Sequence, residues 1–270
     1  MLIHAKLKPI DFDKYKGKSA SEDDCKQLID YDAEIYVNGK LAIAYKHHLD
    51  DPVLETLRSS MVKVPYTVSN RSSGMRSTSR IFGYAPRLAI KNQPCRVTSL
   101  AYDSPSEHKV LCQTAKVVEG YYRQVNPSLY ERHSSLSNQN LDGNWKLEET
   151  CFTSGIANDC NPLKYHFDSG NYVGVWSGMI VLKKDISGGK LAIPELNMTL
   201  ECGDKSLVLF DGQGLLHGVT PIHKKKPDGR RFSVVYYSLK GMWKCLGVDD
   251  EVDRLREIRT RIERKKRSSE

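Results

Sequence analysis

The sequence lacks any hydrophobic run long enough to cross a bilayer, and its first residues lack the apolar stretch and small-residue cleavage site of a secretory signal. It also lacks a CxxC pair and any zinc-ligand spacing, although it contains seven cysteines. These absences predict a protein that is not secreted and stays inside a cell, in the cytoplasm or nucleoid or in a nucleus, with reduced thiols. They predict no membrane partner, and no segment indicates an obligate protein partner.

The 270 residues, 39% of them hydrophobic and 27% charged, have an ordinary globular composition, which favours one domain with a sizeable core. Lysine and arginine outnumber the acidic residues, so the formal net charge is +8. A positive surface attracts polyanions. Nucleic acid is therefore a candidate partner.

Turn and helix signals are present in the N-terminal third of the chain and near its C-terminus. Asn38-Gly39 lies between two strand-like runs and predicts a β-hairpin over 35–43, while Asp51-Pro52 predicts a short helix to residue 58. The polar, basic stretch 69–80 has no apolar periodicity and predicts a loop. Residues 249–267 predict a helix whose many basic side chains either contact phosphates or form a solvated face.

The middle of the chain changes from helical to β patterning. Residues 104–124 predict a long helix that starts at a Ser104 to Glu107 capping box and ends before Asn126-Pro127. From 151 to 238 short β-rich runs alternate with turn residues, which indicates a β-sandwich or barrel. The predicted strands are 176–182, 191–193, 198–200, 207–210 and 232–237.

The candidate chemistry is concentrated at residues 165–168, which read Tyr-His-Phe-Asp. Residues two apart on a strand point to the same side, so His166 and Asp168 can offer ligand atoms to one ion. His217, after a glycine-rich turn, is the candidate third ligand. Two histidines and a carboxylate form the facial triad of non-haem Fe(II) oxygenases, although an isolated HxD pair is more often structural.

Strand alternation over 229–237 places Arg231, Ser233, Val235 and Tyr237 on one face. An inward arginine is costly to bury unpaired, so Arg231 requires an anion. The distal carboxylate of 2-oxoglutarate fits, since a guanidinium grips it bidentately and Ser233 adds a hydrogen bond. A structural Asp or Glu is the competing partner.

The order of these motifs resembles the 2-oxoglutarate oxygenases. The motifs are His-x-Asp, a Gly-Gly strand at 188–194, a Cys-Gly-Asp turn at 202–204, His-Gly-Val-Thr-Pro at 217–221 and Arg-Phe-Ser-Val-Val-Tyr-Tyr at 231–237. More narrowly they resemble the branch of the ten-eleven-translocation methylcytosine dioxygenases and base-J-binding-protein thymine hydroxylases, over residues 152–237. The resemblance implies Fe(II), 2-oxoglutarate and O2 as cofactor and cosubstrates.

The fold implied by the resemblance is mainly β (α+β), with a double-stranded β-helix (jelly-roll, cupin-like) core flanked by helices. We expect an N-terminal α/β extension at 1–100 packed on the core. The core itself, with its supporting helix, is expected at 101–245 and a basic C-terminal helix at 246–270.

The resemblance also implies substrate residues. Asn171 stands where the methylcytosine enzymes hydrogen-bond the target base, and Tyr237 stands where an aromatic stacks on it; their alternatives are a turn residue and a core aromatic. Leu239 replaces a second base-contacting histidine, so 5-methylcytosine and thymine both remain open. Arg87, in a Phe-Gly-x-x-Pro-Arg element, is a candidate for the cosubstrate or a phosphate, or else a surface arginine. Asn158 is a candidate for the cosubstrate pocket, or else closes a turn.

The implied activity is hydroxylation of a pyrimidine methyl group in DNA, from 5-methylcytosine to 5-hydroxymethylcytosine and further, or on thymine. The target base would be flipped out of the duplex, with the basic stretch 69–80 and the C-terminal helix on the backbone. One alternative is an oxygenase of the same fold acting on a protein side chain, as prolyl hydroxylases do, or on a small molecule. Another is a non-catalytic nucleic-acid-binding β-barrel.

Overall fold

A computed structural model describes residues 1–70, 76–88 and 93–268, and within them the chain is mainly β with fewer helices than strands. The strands are β1 (Leu2–Ala5), β2 (Gln27–Ile29), β3 (Ala33–Val37), β4 (Lys40–Lys46), β5 (Thr67–Asn70), β6 (Arg76–Ala85), β7 (Arg96–Val97), β8 (Ser154–Asp159), β9 (Ser177–Lys184), β10 (Ile186–Gly188), β11 (Leu191–Ile193), β12 (Met198–Leu200), β13 (Ser206–Phe210), β14 (Gly218–Val219), β15 (Ile222–Lys224) and β16 (Arg230–Tyr237). The helices are α1 (Phe12–Tyr15), α2 (Val53–Lys63), α3 (Leu100–Asp103), α4 (Pro105–Val125), α5 (Pro127–Asn140) and α6 (Val248–Arg267).

Two facing sheets form the core. The major sheet has the order β1-β3-β4-β13-β9-β16-β8-β6-β5, with β7 beside β6, and the minor sheet has the order β14-β11-β12-β2. Strands β10 and β15 form a separate antiparallel pair. The crossovers between distant strands build the double-stranded β-helix, which confirms the predicted mainly β fold with flanking helices.

The two faces of the major sheet bury different clusters. Apolar side chains of α2 and α4 pack on one face, where Phe232, Val234 and Tyr236 of β16 are buried. The other face packs against the minor sheet, with Val235 of β16 contacting that second cluster. The predicted alternation along β16 is therefore confirmed, and the face carrying Val235 points between the two sheets.

The turn at Asn38-Gly39 joins β3 to β4, with φ of 50° and 76° at the two residues, so the predicted hairpin is confirmed. Each of the five strands predicted between 176 and 237 is present with bounds shifted by at most a few residues. The predicted helices correspond to α2, α4 and α6. These predicted strands and helices are therefore present in the structure.

Two predictions are wrong in detail, and one helix was not predicted. The stretch 69–80 is not the predicted loop, since its ends belong to β5 and β6, and residues 71–75 lie outside the described part of the chain. At the start of α4, Ser104 forms no side-chain cap, so the expected capping box is absent. After Asn126-Pro127 a further helix, α5, begins, and the Asn126 side chain accepts from the backbone N–H of Leu129 at 3.3 Å.

The expectation that every thiol is reduced is also wrong, because Cys95 and Cys245 form a disulfide. This link joins the loop before β7 to the segment before α6. Cys25, Cys112, Cys151, Cys160 and Cys202 are free. The disulfide therefore ties the start of the C-terminal helix to the core.

The helices in the described ranges include none with both the length and the apolar character needed to cross a membrane. The division at residues 100 and 245 stays a prediction. Strands β3 and β4 from the first segment and β13 from the second belong to one sheet, since β4 pairs with β13.

Candidate active site

A cavity of about 240 Å³ opens between the two sheets. Its walls come from the inward face of the major sheet, from the minor sheet and from the loops that carry the candidate metal ligands. The lining residues that matter below are Asn158, His166, Phe167, Asp168, Asn171, Ser177, Phe210, His217, Ser233, Tyr237 and Leu239.

The three predicted metal ligands meet in this cavity. One ligand atom each from His166, Asp168 and His217 lie within 4.8 Å of one another. Nε2 of His166 is 3.6 Å and Nε2 of His217 is 3.9 Å from the same carboxylate oxygen of Asp168. The expected strand at 165–168 is reduced to an isolated bridge, in which His166 and His217 exchange backbone hydrogen bonds of 2.9 and 3.1 Å. That bridge brings the two imidazoles together across a long stretch of sequence.

Backbone carbonyls fix the tautomer of both histidines. Nδ1 of His166 lies 2.7 Å from the Lys164 carbonyl, and Nδ1 of His217 lies 2.9 Å from the Leu215 carbonyl. A carbonyl oxygen only accepts, so each Nδ1 carries the proton and each Nε2 presents a lone pair. Such outer contacts commonly orient metal-binding imidazoles.

The electrostatics of the cavity keep His217 neutral. Burial, together with the electrostatic influence of the neighbouring His166 imidazole, lowers the pKa of His217 to about 4. At neutral pH its imidazole is therefore unprotonated, the form in which histidine binds metals. The ring of Phe210 packs edge-on against His217 with a centroid distance of 5.0 Å, which further restricts the imidazole orientation.

Asp168 is positioned by the glycine-rich turn that precedes His217. Its backbone N–H donates to the Gly212 carbonyl at 2.8 Å. A Cβ at residue 212 would stand 2.3 Å from a carboxylate oxygen of Asp168, so only glycine leaves room for that side chain. The lack of a side chain at residue 212 therefore provides the space that the Asp168 carboxylate occupies.

Arg231 lies deep on the inward face of β16 with only 1% of its surface exposed. Its Nε donates to the Gly189 carbonyl at 2.9 Å, whereas Nη1 and Nη2 have no hydrogen-bond partner among the described residues. Burial lowers the pKa of Arg231, the direction expected for a buried cation without an anion beside it. The predicted alternative, a structural Asp or Glu partner, is absent from the part of the chain that the structure describes.

Gly189 makes the space in which Arg231 lies. It has a φ of +67°, which L side chains rarely adopt, and a Cβ there would stand 2.6 Å from Cδ of Arg231. The second glycine of the Gly-Gly strand is therefore explained by the approach of the arginine. The same residue supplies the carbonyl that holds Nε.

Ser233 and Asn158 lie beside this arginine on paired strands. The Asn158 amide donates to the backbone carbonyl and the hydroxyl oxygen of Ser233, each at 3.3 Å, and Asn161 donates to the Asn158 carbonyl oxygen at 3.2 Å. Because the Ser233 hydroxyl accepts from Asn158, its proton is available to an anion. Asn158 therefore orients Ser233 as well as lining the cavity.

Two of the three predicted substrate residues, Asn171 and Tyr237, also line the cavity. Asn171 and Leu239 face each other in an isolated bridge, and Tyr237 lines the cavity beside them. The Asn171 amide donates to the Ser177 hydroxyl at 3.1 Å, and no described residue donates to its side-chain oxygen. The structure thus places both predicted residues, and the leucine that replaces a histidine, at one end of the cavity.

Arg87 is the exception among the predicted residues. It does not line the cavity; its guanidinium forms an ion pair with Glu251 of α6, with an Nε to Oε1 distance of 2.7 Å. Glu251 is 2% exposed and also accepts from the backbone N–H of Cys95. Arg87 therefore anchors the C-terminal helix, and its expected contact with cosubstrate or phosphate is not supported.

Sequence reasoning missed Phe167, Phe210 and Ser177 as cavity residues. On a regular strand Phe167 would point away from its neighbours His166 and Asp168. The backbone there is irregular except for the bridge at His166, so all three side chains reach the cavity. The signal for Ser177 is its position at the start of a predicted strand beside Phe210, with which it pairs.

A jelly roll with two histidines and a carboxylate converging in its cavity, and a buried arginine behind them, defines an iron(II) and 2-oxoglutarate oxygenase. The chain belongs to the Tet_JBP family, described as the oxygenase domain of the 2OGFeDO superfamily, whose model matches residues 82–240. No curated protein matches the sequence. The enzyme is a 2-oxoglutarate-dependent dioxygenase that uses Fe(II), 2-oxoglutarate and O2. The alternative of a non-catalytic nucleic-acid-binding β-barrel is therefore set aside.

Two solved structures are similar to this chain. A structure named NgTET1 in complex with 5mC DNA is 15% identical, with a TM-score of 0.60, and the match covers 86% of each chain. A prolyl-4-hydroxylase from Pseudomonas putida is 12% identical, with a TM-score of 0.45, and covers 74% of this chain and 93% of its own. The first of these supports the double-stranded β-helix assignment.

The residues present fit the cofactor and cosubstrate of this family. The two Nε2 lone pairs and the Asp168 carboxylate are the donor set that Fe(II) takes in a facial triad. The two unpartnered nitrogens of Arg231 match a carboxylate in number and geometry, since a guanidinium binds carboxylate bidentately. Both fits rest on groups that the folded chain already holds in place.

Proposed function

We propose that this oxygenase hydroxylates the methyl group of a pyrimidine base in DNA, with 5-methylcytosine as the substrate. The observation that carries the proposal is Asn171, whose amide lies at the substrate end of the cavity with its oxygen open. Family membership and the fold shared with a protein solved in complex with 5mC DNA support it.

The hydrogen bonding of the Asn171 side-chain amide favours cytosine over thymine as the target base. One N–H of its side-chain amide donates to Ser177, and its acceptor oxygen receives no hydrogen bond from the described residues. The exocyclic amine of cytosine is a donor, whereas the corresponding oxygen of thymine is an acceptor. A 5-methylcytosine therefore complements Asn171 directly.

The other walls suit a flipped base. Tyr237 offers an aromatic face for stacking, and Leu239 opposite Asn171 supplies an apolar contact. Because the cavity lies between two sheets, a base in duplex DNA must leave the stack to reach it. The net charge of +8 favours the approach of a polyanion.

In the mechanism, His166, Asp168 and His217 would hold Fe(II), while Arg231 and Ser233 would bind the distal carboxylate of 2-oxoglutarate. When bound, these groups supply dioxygen activation that converts a methyl C–H to C–OH as 2-oxoglutarate becomes succinate and carbon dioxide. Asn158 orients the Ser233 hydroxyl. Asn171 and Tyr237 orient the base so that its methyl carbon faces the metal ligands.

The direct test is nucleoside mass spectrometry after incubation of the enzyme with Fe(II), 2-oxoglutarate and ascorbate. Parallel reactions contain DNA with 5-methylcytosine, DNA with thymine only, and prolyl peptides, and a chelator serves as the blank. We expect 5-hydroxymethylcytosine or more oxidised products in the first reaction alone. Oxidised thymine would correct the base assignment, and an oxidised peptide with unchanged DNA would refute the proposal.

Substitution of Asn171 tests the base-reading role. We expect Asn171→Ala to lower methylcytosine oxidation by roughly 5- to 150-fold, the equivalent of about 1–3 kcal/mol for removal of one base-specific hydrogen bond. Uncoupled 2-oxoglutarate consumption should fall much less, because the Asn171 side chain hydrogen-bonds Ser177 and not the proposed cosubstrate residues Arg231 and Ser233. Asn171→Asp should retain part of the activity, since it keeps an acceptor oxygen.

The matched control is Asn138→Ala, which changes an exposed asparagine on α5. Succinate and oxidised nucleoside are measured in the same samples for each variant. Equal loss of succinate and product in Asn171→Ala would show that this residue supports the cavity rather than reading the base.

A further inference from the structure

An N-terminal arm, residues 10–18, lies against the segment that carries the candidate metal ligands. The backbone N–H of Gly17 donates to the Tyr165 carbonyl at 2.7 Å, and the N–H of Tyr165 donates to the Lys18 carbonyl at 2.9 Å. These bonds end one residue before His166. The arm lies outside residues 82–240, so the family match assigns it no role.

Aromatic packing holds the N-terminal arm in place. Tyr15 meets the buried Tyr165 edge to face at a centroid distance of 5.4 Å, and Ile10 packs on the same buried cluster. The Tyr165 hydroxyl donates to Asp24 at 2.8 Å, which closes the contact from the other side. The arm is therefore a fixed part of the cavity surroundings.

Phe12 brings the N-terminal arm to the cavity itself. Its ring lies 5.5 Å, centroid to centroid, from the ring of Phe167, which lines the cavity between two metal ligands. Phe12 is nevertheless 42% exposed. The pair thus forms an aromatic surface that continues from the cavity wall to solvent.

The N-terminal arm and the adjacent residue 164 carry more positive than negative charge. Lys14, Lys16 and Lys18 of the arm and Lys164 next to Tyr165 are exposed, and none forms an ion pair with another described residue. Asp11 is engaged in capping α1, where it accepts from the backbone N–H of residue 13 at 3.1 Å. Asp13 is the other acidic residue of the arm and is exposed. Four lysines against two aspartates, together with the exposed ring of Phe12, form a surface complementary to a nucleic-acid strand.

We propose that the N-terminal arm is a nucleic-acid-binding lip of the active site, where Phe12 stacks with a base that flanks the target and the lysines contact the adjacent phosphates. The proposal rests on the proposed function and adds the surface that holds the substrate strand. Exposed aromatic rings bind bases by stacking irrespective of sequence, and lysines bind phosphates. The positive charge favours a nucleic-acid strand over an apolar peptide as the occupant.

The stacking contact is tested by the Kd of a fluorescent methylcytosine oligonucleotide, measured by anisotropy. We expect Phe12→Ala to raise Kd by roughly 5- to 150-fold, the range for removal of one base–aromatic stack. Phe12→Trp should bind at least as tightly as wild type. The control is Tyr102→Ala, which removes another exposed aromatic, 76% exposed, outside the cavity lining.

The phosphate contacts are tested by the salt dependence of the same Kd. Replacing Lys14, Lys16 and Lys18 together with glutamine should reduce the slope of log K against log salt by about 0.7–0.9 for each lysine that binds a phosphate in the wild type. The matched control replaces Lys224, Lys225 and Lys226, an exposed lysine run in and after β15. Circular dichroism and thermal unfolding verify that each variant is folded.

The outcomes separate this proposal from the proposed function. One outcome is that wild type oxidises methylcytosine while Phe12→Ala binds DNA like Tyr102→Ala and the triple lysine variant keeps the wild-type salt slope. That result refutes the proposed role of the N-terminal arm and leaves the proposed function in place. If Phe12→Trp weakens binding as much as Phe12→Ala, stacking is refuted. A wild-type chain that neither binds nor oxidises DNA overturns both.

Discussion

Replacing His217 with alanine is expected to abolish 2-oxoglutarate turnover, with a loss of at least about 10³-fold, because a catalytic metal contributes several kcal/mol and each 1.36 kcal/mol is tenfold in rate. His217 is the most buried of the three candidate ligands, with 8% of its side chain exposed. Alanine leaves one imidazole and one carboxylate facing an open space. Two ligands hold Fe(II) far more weakly than three.

The measurement pairs succinate production with metal-dependent stabilisation. Wild type should unfold at a higher temperature with Mn(II), a redox-stable substitute for Fe(II), because a ligand that binds only the folded state stabilises it. The His217→Ala variant should lose both the succinate and the shift. His223→Ala, which removes an exposed histidine on β15, should keep both. Metal-dependent stabilisation that survives in His217→Ala would place the metal elsewhere.

The parts of the site that the sequence predicts are those with short-range signals. The HxD pair, the glycine-rich turn and the alternation along β16 each depend on neighbours within a few residues, and each lies where the sequence predicts it. Strict strand alternation places Arg231 inward, and the structure buries it. Local periodicity therefore predicts the inward face of β16.

The features that the sequence analysis did not predict depend on long-range contacts or on irregular backbone. Arg87 meets Glu251 across a separation of 164 residues, and Cys95 meets Cys245 across 150, so neither pairing has a local signal. Phe167 lines the cavity because the backbone beside His166 forms only a single bridge. The stretch 69–80 has a polar pattern, although much of it pairs as β5 and β6 at the sheet edge.

Helix α5 shows how weak patterning conceals an element. Its fully buried side chains are the polar residues His133 and Ser137, not an apolar stripe. His133 donates from Nε2 to the Ser238 hydroxyl, which itself donates to the Cys151 carbonyl. Burial lowers the pKa of His133 to about 3, so it is neutral in the core. Because α5 buries a hydrogen-bonded histidine and not a stripe of apolar side chains, its sequence lacks the hydrophobic periodicity that would predict a helix.

Arg231 carries the second large prediction. Arg231→Met should lower 2-oxoglutarate turnover by at least about 100-fold, because the bidentate, charge-assisted contact that methionine removes accounts for roughly 3 kcal/mol or more. Arg231→Lys should rescue little of this loss, since one ammonium cannot reproduce two parallel N–H donors. The thermal shift caused by 2-oxoglutarate should disappear in both variants.

The same substitution has a second, opposite effect on the ligand-free chain. A buried guanidinium with two unpartnered nitrogens costs free energy, and replacing buried charge with an apolar side chain is often neutral or stabilising by about 1–4 kcal/mol. We therefore expect Arg231→Met to unfold no earlier than wild type without cosubstrate. The control Arg230→Met changes the neighbouring exposed arginine, which pairs with Asp159 at 3.2 Å, and should leave the cosubstrate shift intact.

These two readouts distinguish a binding arginine from a structural one. If Arg231 served the fold through its bond to Gly189, methionine would lower the unfolding temperature and 2-oxoglutarate would still stabilise the variant. A cosubstrate role predicts the reverse: stability kept and the ligand response abolished. In that case the free-energy cost of burying Arg231 is offset only when the cosubstrate carboxylate binds. The stability of the folded protein therefore increases when the cosubstrate binds.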